Sequence, residues 1–188
     1  MANPPARQIG ARVREVQDLL LAATGNLDEA ILASWPGPHA PAIRFHLWHI
    51  ARWADIVGAH LPTMGAAPGA PAPREIWEAE GLAVAWGFAG RDLGFRETGM
   101  SLPDVAVLAL PFPTDTTLRR YAERTFAVAA EATEAIDEAR FVRAGRDPLG
   151  REIIVGDAVL NHLLHVGRHL GMIEALRGVL GLRGTATR

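Results

Sequence analysis

Cysteine and lysine are both missing from this chain of 188 residues. Without cysteine there is no disulfide, no thiolate metal site and no cysteine nucleophile. Without lysine there is no Schiff-base chemistry, and all 19 basic side chains are arginines. Thiol chemistry, if there is any, must come from a bound small molecule. The formal net charge is −2 and the arginines are scattered singly or in pairs. No basic stripe is present to follow a phosphate backbone, so nucleic acid is not an expected partner. Long apolar runs are also lacking. No stretch approaches the ~18 residues that a membrane span needs, and "MANPPARQIG" has no apolar core of the signal-peptide kind. A cytoplasmic protein without a membrane partner is expected. There is no internal repeat and no strong hairpin signal.

What is present is helical periodicity over a length that suits one domain, residues 1–188. Ile9, Val13, Val16, Leu19, Leu20 and Ala23 recur at helical spacing, with a stop at Gly25-Asn26. "LDEAILASW" adds one or two turns before "WPGPHAP", whose prolines exclude a helix interior. A second helix is expected from about Pro41 through "AIRFHLWHIARWADIVGAH". Residues 61–74, rich in Pro, Gly and Ala, form a long loop, a type that is usually functional or mobile, and it could close over a site. "EIWEAEGLAVAWGFAG" reads as a short helix ending near Gly90, and 91–113 has no clear period. A third helix is expected from Thr116 to about Arg140, with Asp115 as its N-cap. The loop "GRDPLGRE" and a brief β-branched run, Ile153 to Val155, precede a last helix from about Asp157 to Arg177. Four long helices and little strand predict an all-α four-helix bundle.

Three of the seven histidines fall in "HLLHVGRH", residues 162–169. His162, His165 and His169 lie at i, i+3 and i+7, on one stripe of the last helix. The stripe continues through Ala158, Met172 and Leu176, so it is expected to face the core. On the second helix His46 and His49 repeat the pattern, and His49 shares its stripe with Phe45, Trp53 and Ile56. Buried imidazoles without partners are costly. A shared divalent metal resolves the cost. Two nitrogens about 2.05 Å from zinc at a tetrahedral angle are about 3.3 Å apart, within reach of histidines one turn apart. A third imidazole from the neighbouring helix completes a facial set with an open position.

"FHLWHIARWAD" and "LNHLLHVGRHLGMIEALRGVLG" together resemble the DinB/YfiT-like superfamily of metal-binding four-helix-bundle proteins. The resemblance spans most of the chain and is strong at 41–60 and 155–184. It implies a metal site formed by His49 with His165 and His169, with Gly171 matching the family glycine. It also implies up-down-down-up topology, with 61–113 as the crossover between helices two and three, and a homodimer. Met172 stands where members often have Gln or Glu. His46 and His162 lie outside the triad, as partners of the ligands, as proton carriers or as mere space-fillers. Asp55, Glu131 and Glu134 are further candidates to orient the ligands.

Characterised relatives include metal-dependent S-transferases that use low-molecular-weight thiols such as mycothiol or bacillithiol, among them a maleylpyruvate isomerase. The resemblance therefore implies a thiol S-transferase acting on a small-molecule substrate, its divalent ion being zinc, nickel or iron. A metal-dependent hydrolase and a non-catalytic metal-binding or stress-related protein are the alternatives. Arg44, Arg52 and Arg168 are candidates to hold a carboxylate, although a solvated surface position is expected for each. Trp48, Trp53, Trp77 and Trp86 read as core fillers, with Trp48 or Trp53 at a pocket mouth as the alternative.

Overall fold

The computed structural model describes residues 4–66 and 74–186. In chain order the elements are α1 (Pro4–Thr24), α2 (Glu29–Ala33), α3 (Ile43–His60), α4 (Ile76–Ala79), α5 (Leu82–Ala85), α6 (Asp104–Leu108), α7 (Asp115–Glu134) and α8 (Glu138–Phe141). A short hairpin of β1 (Ala144–Arg146) and β2 (Glu152–Ile154) then leads directly into α9 (Val155–Val179). The protein is mostly helical, as the periodicity requires. The long helices form a closed ring of neighbours: α1 packs on α7 and α9, and α3 packs on the same two.

The main core lies inside this ring, around Leu20, Ile50, Leu118, Phe126, Val166 and Ile173. Trp48, Trp77, Trp86 and Phe88 extend it toward the segment between α3 and α7. A smaller core of Leu61, Met64, Ile136, Val155 and Val159 lies under the hairpin.

Several expected boundaries move, each for a local reason. The second long helix starts at Ile43 rather than Pro41, with Ala42 extended at its N-cap. The third starts at Asp115, with Thr114 as N-cap and no side-chain cap bond, so Asp115 is its first residue rather than its cap. That helix stops at Glu134, not near Arg140. The Asp137 side chain accepts from the Arg140 amide and opens a separate turn, α8. "EIWEAEGLAVAWGFAG" forms two short helices because Gly81 adopts a left-handed conformation, φ +61°. The hairpin was not expected. Its signal was the "DPLG" turn, where Asp147 Oδ1 accepts from the Leu149 and Arg151 amides and Gly150 sits at φ +79°. Of the expected loop at 61–74, residues 67–73 lie outside the described residues, and so does the idea that the loop closes over a site.

Among the described residues no helix is long and apolar enough to cross a membrane.

Candidate metal centre

His49 sits on the second long helix, α3, and His165 and His169 on α9. The ring of helices brings them together: one ring nitrogen from each lies within 4.8 Å of the others. His49 Nε2 and His165 Nε2 are 3.3 Å apart, the separation expected for two nitrogens on one tetrahedral ion. The ring centroids of His169 lie 4.8 Å from His49 and 4.9 Å from His165. Such a set of nitrogens can hold a metal ion. Among the described residues no carboxylate joins the group.

The tautomer of His49 follows from its other contact. Its Nδ1 lies 2.6 Å from the Thr98 carbonyl oxygen, which can only accept. Nδ1 therefore carries the proton, and the Nε2 lone pair faces His165. This is the arrangement that orients a ligating imidazole and raises its basicity. His169 is held by another histidine, with its Nδ1 3.0 Å from His46 Nδ1. His46 is itself buried.

Burial holds all five rings neutral. His46, His49 and His162 are lowered to about 4, His165 to about 3 and His169 to about 2, with neighbouring imidazoles adding to desolvation for His46, His165 and His169. Neutral imidazole is the form that ligates a metal. The stability consequence has a definite sign. The unfolded chain takes up protons below pH ~6.5 while the folded chain resists until about pH 4. Stability is therefore unaffected above pH ~6.5 and falls as the pH drops toward 4. Each histidine contributes at most about 1.4 kcal/mol per pH unit. Urea titration of metal-free protein between pH 7 and 4.5 checks this. A flat profile would contradict it.

The Thr98 carbonyl is delivered by a compact loop in the segment that showed no period in the sequence. Phe95 N donates to the Met100 carbonyl at 3.0 Å and Gly99 N to the Leu93 carbonyl at 2.7 Å. Arg96, Glu97 and Ser101 take positive φ values of 49°, 55° and 69°, a strained region for residues with a Cβ. Arg52 of α3 holds this backbone. Its guanidinium donates to the carbonyls of Arg96 at 3.2 Å and Glu97 at 3.1 Å. The same group donates to Asp55 (3.2 Å), Tyr121 (3.1 Å) and Glu75 (2.8 Å) and lies over the Trp77 ring. Asp55 in turn accepts from the Ile76 and Trp77 amides at 2.8 Å each, closing the first turn of α4. Burial works against the guanidinium charge, and Tyr121 and Glu75 outweigh it, so the Arg52 pKa is raised.

Gly99 is needed where the loop meets α3. Its φ is +83°, and a Cβ there would lie 2.6 Å from a ring carbon of Phe45 and 2.9 Å from one of Trp48. Gly99→Ala is expected to cost about 1–3 kcal/mol, measured by urea denaturation. A change of a few tenths would show that the loop yields freely.

A cavity of about 350 Å³ adjoins the histidines. His165 of the histidine cluster and Trp53 line it, together with Asp147, Pro148 and Leu149 of the hairpin turn. Met100, Asn161, His162 and Arg168 complete the part nearest the loop and α9.

The structure redistributes the remaining sequence candidates. Arg52 is 2 % exposed and belongs to the network described above, not to a solvated surface. Its i, i+3 acid Asp55 was the available signal. Asp55 serves Arg52, Tyr121 and α4 and touches no histidine. Glu134 pairs with Arg14 at 2.9 Å and Glu131 is exposed, so neither orients a ligand. Arg44 lies over the Phe112 ring. Trp48, Trp77 and Trp86 are core, whereas Trp53 lines the cavity.

On α9 the histidine stripe is not uniformly inward. His162 is buried, His165 and His169 are partly exposed, and Met172 is 40 % exposed. The stripe marks the edge of the buried face, and through His165 the metal centre borders the cavity. At Gly171 an added Cβ would meet nothing within 4 Å, so packing does not demand that glycine. The Thr98 carbonyl was missed altogether, because no side-chain type announces a backbone acceptor.

These features define a mostly helical protein with a trihistidine cluster between two helices, one cavity beside it and a loop that fixes one of its rings. Residues 12–173 match the sequence model of the DinB superfamily, and the chain belongs to that superfamily. Its fold is similar to the crystal structure of a conserved protein from Enterococcus faecalis, with a TM-score of 0.73 over 93% of this chain and 96% of that one, at 13% identity. No curated protein matches the sequence.

Proposed function

We propose that this chain is a metal-dependent S-transferase that joins a low-molecular-weight thiol, such as mycothiol or bacillithiol, to a small-molecule substrate. His49, His165 and His169 are the ligands, and zinc, nickel or iron is the ion. The observation that carries this reading is the convergence of three neutral imidazoles, one of which, His165, lines a cavity large enough for a small molecule. A divalent ion in that position supplies Lewis acidity and stabilises an anionic sulfur or oxygen against it.

The chain's own residues do the rest. The Thr98 carbonyl and His46 hold the two ligand rings that they touch. Trp53 and the hairpin turn give the cavity its walls beside the metal centre. His46, in contact with His169, is placed to pass a proton at Nδ1. His162 is a neutral wall residue whose Nε2 has no partner among the described residues.

The thiol reading is favoured over hydrolysis for two reasons. The chain has no sulfur nucleophile of its own. Asp147, an acid on the cavity wall, is tied through its carboxylate to Arg151 at 2.8 Å and to the Leu149 and Arg151 amides rather than left as a general base.

Within this reading the chain is one domain with up-down-down-up bundle topology, its crossover spanning α4 to α6. It is cytoplasmic and homodimeric. The exposed apolar residues Leu160, Leu164 and Val179 of α9 support a dimer face. Leu164→Glu is then expected to halve the mass seen by sedimentation, and an unchanged mass would remove that face. The activity itself is tested with metal-loaded protein, a panel of thiols and a panel of small electrophiles. Turnover that needs the metal and is lost in His165→Ala is the expected result. Silence across the panel would overturn the transferase reading.

A further inference from the structure

We infer that the cavity beside His165 takes a substrate with an apolar body and a single carboxylate, and that Arg168 binds the carboxylate. This deepens the proposed function and rests on it for the reactive end of the site. The binding claim stands on separate observations.

The walls are largely apolar, with Val57, Leu61, Met64, Leu149 and Ile153 surrounding the space. A volume of about 350 Å³ is near the small end of the ~300–1,000 Å³ usual for ligand sites. That suits a body of about one ring or a short branched chain.

The charges on the walls select the polar group. Two arginines and one acid line the cavity, Arg151, Arg168 and Asp147. Arg151 is already paired with Asp147, at 2.7 Å from Nη2 to Oδ2. His60 is also engaged, with its Nε2 on the Arg146 carbonyl at 2.8 Å. Among the described residues Arg168 makes no ion pair and no hydrogen bond from its guanidinium, so one positive charge is left over. Arg168 both lines the cavity and is exposed, which places it at the rim. It follows His165 by three residues and so stands one turn along the same helix.

One surplus positive charge is matched by a monoanion, and a dianionic phosphate would leave one negative charge uncompensated. A planar guanidinium matches a carboxylate bidentately. A molecule bound by its carboxylate at Arg168 has its body among the apolar walls, in the space that His165 also lines. Arg44 and Arg52, the two other arginines that could have held a carboxylate, are committed to Phe112 and to the buried network.

The test uses the metal-free full-length chain, so that it does not depend on the metal reading. 4-Phenylbutyrate and its neutral amide are titrated by calorimetry into wild type, Arg168→Gln and Arg151→Gln. The carboxylate is expected to bind about five- to tenfold more tightly than the amide. Arg168→Gln should abolish that difference, and Arg151→Gln should preserve it. Equal binding of the two probes, a difference that survives Arg168→Gln, or no binding of either probe would overturn the assignment. Failure of metal loading with intact carboxylate selectivity would instead remove the transferase reading and leave this site standing.

Discussion

Arg52→Met is expected to lower the unfolding free energy by about 3–5 kcal/mol. Arg52 is 2 % exposed, and its guanidinium meets Asp55, Glu75, Tyr121 and two loop carbonyls. Methionine keeps much of the volume but none of the donors. Asp55 and Glu75, themselves buried, then lose a counter-charge, and an uncompensated buried charge is what makes such losses large. Arg96 still reaches Glu75 at 2.6 Å, and two amides and Tyr121 still serve Asp55, which keeps the loss near this range rather than beyond it. The damage should also travel. The 96–97 backbone is left in its strained conformation without its donors, the Thr98 carbonyl loosens, and His49 loses its fixed tautomer. Metal affinity should fall by roughly 10–100-fold, as for other partners that orient a ligand. Urea denaturation and metal titration of the same variant check both halves. A stability loss under 1 kcal/mol would show that the network is dispensable.

Removal of a ligand itself should exceed that. His169→Ala or His165→Ala is expected to reduce metal affinity by more than the roughly 100-fold ceiling for an orienting partner, so that metal no longer co-purifies at one ion per chain. His46→Phe should fall in the roughly 10–100-fold range, because it removes only the partner of His169 Nδ1. The order matters more than the sizes. If His46→Phe costs as much as His169→Ala, His46 is a ligand and the assignment of three is wrong. Elemental analysis beside competition with a chromophoric chelator separates the cases.

The long helices and the two histidine-bearing stripes were legible in the sequence through a period of 3.6 residues over 18 or more positions, and the choice of His49, His165 and His169 among the five histidines came from the family resemblance. Two helices with histidines on such faces leave few places for the rings except together. What was not legible is non-periodic. The 91–113 stretch folds through left-handed residues at 96, 97 and 101 that no propensity favours, and these are held by an arginine from another helix. The hairpin carried its own signal in "DPLG", but strands of three residues are too short to show alternation. Arg52 was misjudged because an arginine is almost always exposed unless paired, and two of its three side-chain partners, Glu75 and Tyr121, come from distant parts of the chain.

X-ray absorption on zinc-loaded protein tests the heart of the matter most directly. Three imidazole nitrogens at about 2.0–2.1 Å, with at least one reduced in number in His49→Ala, are required if His49, His165 and His169 share one ion. A zinc shell without imidazole scattering, or one unchanged by His49→Ala, would mean that the rings converge without binding a metal together.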